Sequence, residues 1–186
     1  MKFRITLLLL LCLPFFQASA QEKYLTKTGS ITFYSHTPAE DILAENHQVT
    51  SIIDFSSGGI VFAVLIKSFE FKKALMQEHF NENYMESAKF PKSTFEGKIL
   101  DIDKVDPNKP GTYPVKVSGD LKIKDVTNKL ETEGTLTVGA DGNIKGHSEF
   151  EIHPEDYGIG IPGVVRDKIA KTMKVTCDLD YQTYQK

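Results

Sequence analysis

Apolar and polar residues alternate with a period of two along most of the chain. Ile31 and Phe33 alternate with Thr32 and Tyr34, Val49, Ile53 and Phe55 share a face with Ser51, and Ile60, Phe62, Val64 and Ile66 form the next row. Phe95 and Ile99 flank Gly97, and Tyr113, Val115, Val117, Leu121 and Ile123 alternate with Lys116, Ser118, Asp120 and Lys122. Leu136 with Val138, Phe150 with Ile152, and the run Met173, Val175, Cys177, Leu179 and Tyr181 complete the series. A period of two places one side of each strand against an apolar interior and the other in water, as in antiparallel sheets. Turn-forming residues separate the rows: Ser57-Gly58-Gly59, a longer loop from Asp106 to Gly111, a candidate hairpin at Asp125-Val126-Thr127-Asn128-Lys129, and Ala140-Asp141-Gly142-Asn143. Asp-Gly suits tight hairpins because it accepts positive φ. The pattern predicts roughly eight strands at the short spacing of sandwiches and barrels.

One segment has a different period. Between residues 71 and 87 the apolar positions Phe71, Leu75, Met76, Phe80, Tyr84 and Met85 recur at helical spacing, without Gly or Pro. Phe90-Pro91 then excludes further helix. The apolar stripe predicts a helix lying on the sheet or plugging a barrel end. The expected class is therefore all-β with one short helix. Closing the sheet would remove its exposed edges, and at about eight strands a barrel is either filled by side chains or holds one small ligand. The alternation alone does not choose between these, nor does it exclude a sandwich.

The N-terminus follows another rule. Met1-Lys2-Phe3-Arg4 precedes an apolar run from Ile5 to Phe16, then Gln17-Ala18-Ser19-Ala20. A basic start, a short apolar stretch and small residues at the end predict a secretory signal peptide cleaved after Ala20. The run is too short to span a hydrocarbon core of about 30 Å. Cys12 lies inside it, behind Leu11, which argues against lipidation at that Cys. Cleavage would leave a barrel domain over residues 21–186 in the periplasm or outside the cell. It removes Lys2 and Arg4 and no acid, so the net charge of -3 becomes -5, and Cys177 remains as the sole thiol. Such a domain must be held by its core, not by disulfides. The mildly acidic, mixed charge argues against a nucleic-acid partner, and no later apolar run is long enough to span a membrane as a helix.

The candidate chemistry is sparse. His36, His47, His79, His147 and His153 show no metal-ligand spacing. Cys177 alternates with Met173, Val175 and Leu179, which predicts a buried apolar thiol and not a nucleophile beside a cation or helix N-terminus. Asp101, Asp103 and Asp106 lack the Gly and the bidentate Glu of an EF-hand loop. There is no nucleophile elbow, P-loop or dinucleotide fingerprint; Gly158-Ile159-Gly160 reads as a bend. No cofactor is expected, and the expectation is a non-enzyme. What stands out is 12 Phe with no Trp. Those Phe residues build a core, line a tunnel for a long apolar ligand, or do both.

Three stretches resemble the YceI-like family. The segment Leu75-Met76-Gln77-Glu78-His79-Phe80 leads through Tyr84 to Lys89-Phe90-Pro91 and the strand opening Thr94-Phe95. The run from Tyr113 through Val115, Val117, Gly119, Leu121 and Ile123 to Val126-Thr127 is similar to a second family motif, and Asp156-Tyr157-Gly158 to a third. The chain departs from the family pattern at Asp125, where Gly is usual, and near His153, where Arg is common. The resemblance implies an extended, eight-stranded, lipocalin-like antiparallel β-barrel. It also implies a long apolar tunnel for a polyisoprenoid or similar long-chain lipid. The inward-facing candidates for that tunnel are Phe33, Phe55, Phe62, Val64, Phe95, Val117 and Leu121, then Phe150, Met173, Val175 and Cys177; Leu75, Met76 and Phe80 would gate one end. A homodimer is compatible with this reading. The rival is a barrel filled by its own side chains, contacting an envelope partner through its loops.

Overall fold

In the computed structural model, which describes residues 23–184, the chain forms one closed antiparallel sheet. The predicted signal peptide lies outside the described residues. The strands are β1 (Lys23–His36), β2 (Asp41–Asp54), β3 (Gly59–Leu65), β4 (Glu70–Phe71), β5 (Lys92–Ile99), β6 (Gly111–Ile123), β7 (Val126–Val138), β8 (Ile144–Ile152) and β9 (Met173–Thr183). Eight of them close in the order β1-β9-β8-β7-β6-β5-β3-β2, with β1 returning to β2. The two-residue β4 pairs with the first half of β2, opposite Ala44 and Glu45. Meander connectivity keeps sequence neighbours paired, and closure leaves no long edge to attract another chain.

The barrel bends through two bulges. In β1, Thr26 pairs with Ser51 and Gly29 with Val49, so β1 holds one extra residue. In β2, Gly29 opposes Val49 and Ile31 opposes Asn46, so β2 holds one extra residue just beyond. Each bulge switches which alternate residues face inward. Val49, Ser51 and Ile53 point inside after the switch, and Ala44 and Asn46 before it. Asn46 closes the β2 bulge: its side chain donates to Leu65 O at 2.8 Å and accepts from Gln48 N at 2.9 Å. Phe55, expected on the inward row, lies past the end of β2, where its ring meets Tyr24 at 5.1 Å. The row breaks there because the chain turns toward β3.

The segment read as a helix from 71 to 87 is shorter and composite. An α-helix, α1 (Ala74–His79), runs into a wider π turn over Phe80–Tyr84, whose closure is the Met85 N to Phe80 O bond at 2.8 Å. Phe80 packs on Phe33, Phe69 and Phe71, with ring centroids 5.0–5.7 Å apart across the group. This cluster docks the helix on one barrel end. The far side of the segment is fastened by an ion pair between Glu86 and Lys124, the two non-glycine residues with positive φ among the described residues, 48° and 54°. Lys124 also opens the β6–β7 turn. The sequence pattern put a hairpin at 125–129, but β7 resumes at Val126 because Lys124 itself adopts the left-handed conformation.

Two glycines allow a close approach at the β5–β6 seam. Gly97 and Gly119 face each other, and the Phe95 ring lies over both. A Cβ at Gly119 would come within 2.5 Å of Glu96 O and the Gly97 Cα and 2.6 Å of the Phe95 ring. Gly119→Ala must therefore push backbone or ring aside, and destabilisation by about 1–3 kcal/mol is expected. Urea unfolding followed by circular dichroism measures it; an unchanged midpoint would mean that the seam has slack.

Candidate functional site

The barrel interior is not filled. Among the described residues it encloses a larger cavity of about 560 Å³, whose wall is mostly apolar. That volume falls within the roughly 300–1,000 Å³ typical of small-molecule sites. Ile31 and Phe33 from β1, Val64 from β3, Leu121 and Ile123 from β6, Phe150 and Ile152 from β8, and Met173 and Val175 from β9 form its barrel wall. Leu75, Met76 and Phe80 close one side. A second cavity of about 110 Å³ lies between Phe62, Phe95, Val117, Leu130, Cys177 and Leu179. Ile31, Val64, Ser93, Leu121 and Phe150 line both and form the partition between them.

Of the residues singled out from the alternation and the helical stripe, Phe33, Val64, Leu75, Met76, Phe80, Leu121, Phe150, Met173 and Val175 line the larger cavity. Phe62, Phe95, Val117 and Cys177 line the smaller one. Phe55 lines neither, for the reason given above. Sequence reasoning missed the contribution of the loop between β8 and β9. Tyr157, Ile159, Ile161, Val165 and Ile169 from that loop also face the cavity. The signal was present as Ile159 and Ile161 alternating with Gly158, Gly160 and Pro162, but the glycines drew attention to the bend. The bend exists: Gly158, at φ 69°, caps the short 3₁₀ turn Pro154–Tyr157. Ile42 was missed as well, because the β2 bulge hides its inward parity.

That loop is tied down as a lid. The Ala170 N–H donates to Ser35 Oγ at 2.9 Å, and Ser35 is fully buried. Arg166 donates to Ile161 O at 3.0 Å and pairs with Glu155 at 3.2 Å. Asn128 Nδ2 donates to Asp156 O at 2.9 Å, bonding the turn to β7.

The interior polar groups are few and largely partnered. Tyr181, 1% exposed, shares a 2.7 Å hydrogen bond with Ser51 Oγ, which donates to Val61 O at 2.8 Å. Burial pushes the phenol up, against the Ser51 hydrogen bond. Burial first, and then the Asp178 charge, push the Cys177 thiol up to about 12. The imidazoles lie elsewhere: His36 pairs with Asp41 at 2.6 Å and His147 with Asp178 at 2.7 Å, all four side chains exposed on the outside. His79 stands at the cavity rim, 2.8 Å from Asn83 Nδ2. No group of three or more potential metal ligands converges among the described residues.

Comparison with known proteins places this cavity in context. The family model described as "YceI-like domain" matches residues 23–181. No curated protein matches the chain. A polyisoprenoid-binding domain from Saccharophagus degradans, implicated in plant cell wall breakdown, superposes with a TM-score of 0.75 at 15% identity, covering 88% of this chain and 99% of its own. Burkholderia cenocepacia BcnA superposes at 0.68 with 12% identity, covering 83% and 96%. A Campylobacter jejuni YceI protein does so at 0.57 with 14% identity, covering 77% and 85%. At these identities the likeness is one of fold.

A buried, neutral thiol is unreactive, because the thiolate is the nucleophile. Cys177 should resist iodoacetamide at pH 8 in the folded protein and react once urea unfolds it; equal labelling in both states would contradict its burial. Its folded value lies above the unfolded value of about 8.5, so stability is unaffected below that pH. Above it only the unfolded chain ionises, and stability falls by up to about 1.4 kcal/mol per pH unit toward pH 12. Cys177→Ala should flatten the first part of that fall in thermal unfolding measured from pH 8 to 10.

Proposed function

The chain belongs to the YceI-like family, and we propose that it holds a polyisoprenoid or similar long-chain lipid inside its barrel. The observation that carries this reading is the apolar cavity of about 560 Å³ kept open within a closed barrel that has apolar side chains to spare. A dry apolar void forfeits packing on its walls, so leaving it empty is unfavourable and filling it with hydrocarbon is favourable. Each CH₂ moved from water into it contributes roughly 0.8 kcal/mol. A chain of fifteen or more carbons therefore outweighs the cost of ordering it. The name of the similar Saccharophagus degradans domain supports the isoprenoid class.

The partition formed by Ile31, Val64, Leu121 and Phe150 sets how deep the chain reaches. Rotation of Leu121 and Phe150, which line both chambers, would join them and let the ligand tail enter the smaller one between Phe62, Phe95 and Val117. The helix residues Leu75, Met76 and Phe80 act as the gate. The protein works as a carrier and not as a catalyst, with side chains that exclude water and none that reacts. The N-terminal segment is read as a cleaved export signal, so the carrier would act in the periplasm or outside the cell.

Organic extraction of the purified protein followed by mass spectrometry tests the reading. A long-chain isoprenoid or similar lipid is expected, or, for protein purified empty, uptake of one on incubation. Protein that is repeatedly lipid-free and takes up no long isoprenoid would sink it. Leu121→Trp, at the partition, should reduce uptake at least tenfold while circular dichroism remains that of the folded barrel. Unchanged uptake in that folded variant would move the ligand elsewhere.

A further inference from the structure

The cavity has a definite opening, and its chemistry differs from that of its walls. Among the described residues, only four that line the larger cavity are exposed: Lys73, Leu75, His79 and Lys168. A residue that both lines a cavity and meets solvent marks its mouth, which therefore lies between the start of α1 and the end of the β8–β9 loop. Three of the four are nitrogen bases. Among the described residues Glu40 is the sole carboxylate lining the cavity, and it is already matched, with Lys73 Nζ 2.5 Å away. Lys168 has no carboxylate within 4.0 Å among the described residues, although the nearby Arg166 is paired with Glu155. The mouth thus holds one neutralised pair and one unmatched ammonium, at the edge of an otherwise apolar chamber.

We propose that the mouth selects a long apolar chain ending in a single negative charge, a carboxylate or a phosphate diester, with Lys168 as its counter-ion. This rests on the tunnel reading above and adds the chemistry and direction of the ligand. The chain enters tail first, because burying an ionised head among Phe33, Val64 and Phe150 would leave its charge without water or partner. At the mouth the head keeps part of its hydration and gains a charge-assisted contact with the ammonium. Glu40 limits the total charge. It cancels Lys73 and repels a second negative group, so a diphosphate is disfavoured relative to a monoanion. A neutral alcohol of the same chain gains the apolar burial but not the ion pair.

Geranylgeraniol and geranylgeranoic acid share one chain and differ in the head, so their dissociation constants measured by titration calorimetry at pH 7.5 isolate it. The acid is expected to bind about three- to tenfold more tightly, the range of a partly exposed charge pair. Raising the salt from 0.05 to 1 M should shrink the ratio, since exposed charges are screened. Lys168→Gln should bring the ratio below twofold. Lys98→Gln, which removes the same charge from the exposed outer face of β5, should leave it at the wild-type value. Equal binding of acid and alcohol to the wild type, or a preference that survives in Lys168→Gln, overturns the inference and leaves the lipid tunnel standing. Binding of neither ligand overturns the tunnel reading itself, and this inference with it.

Discussion

β1 hydrogen-bonds to β2 along one edge and to β9 along the other. That double pairing converts a meander into a closed wall, and the cavity exists only because the wall closes. An open sheet of the same strands would present β1 and β9 as edges and expose the row from Met173 to Tyr181 to water. Closure demands curvature, and the two bulges near Gly29 and Asn46 supply it at the seam. Gly29 sits there because a Cβ would lie 2.6 Å from Leu179, a residue of the strand on the other side of the seam.

A barrel without a disulfide is held by packing, yet this one leaves part of its interior open. The two requirements are met in different regions. One end is dense: Tyr181, Ile53, Val49 and Ile144 are 0–1% exposed, and Tyr181 is satisfied by Ser51. The other end is lined by half-buried Phe33, Phe71, Phe80 and Phe150, whose rings touch one another or the cavity and not a filled core. The Phe33 cluster belongs to both functions, since the same rings that fasten the helix also form the cavity wall. Loss of one of those rings would therefore affect stability and the shape of the cavity together.

The charges follow the same division. Apart from rim residues, the strands carry their acidic and basic side chains on their outer faces, where pairs such as Lys129 with Asp120 and Lys174 with Glu149 are solvent-exposed and contribute little to stability. At the mouth the same residue types acquire a different meaning, because a low-dielectric chamber begins directly beside them. A lysine on the barrel exterior is a solubilising charge, whereas a lysine at the mouth is a choice about what enters.

The antiparallel class, most strand positions, the helix between Phe71 and Pro91 and the inward side of β3, β5, β6, β8 and β9 were legible in the amino-acid pattern. All of these are local: alternation, turn chemistry and periodicity are properties of neighbouring residues. That pattern did not reveal Ile42, hidden by a one-residue bulge, the end of the inward row before Phe55, or the lid role of Ile159 and Ile161. Nor did the Phe content distinguish a core from a lining, because an apolar side chain obeys the same pattern whether a ring or a void stands opposite it. The closed fold settles which of the two each ring meets. The volume of a cavity, the position of its mouth and the company kept by Lys168 depend on residues far apart in the chain, brought together when β1 closes on β9.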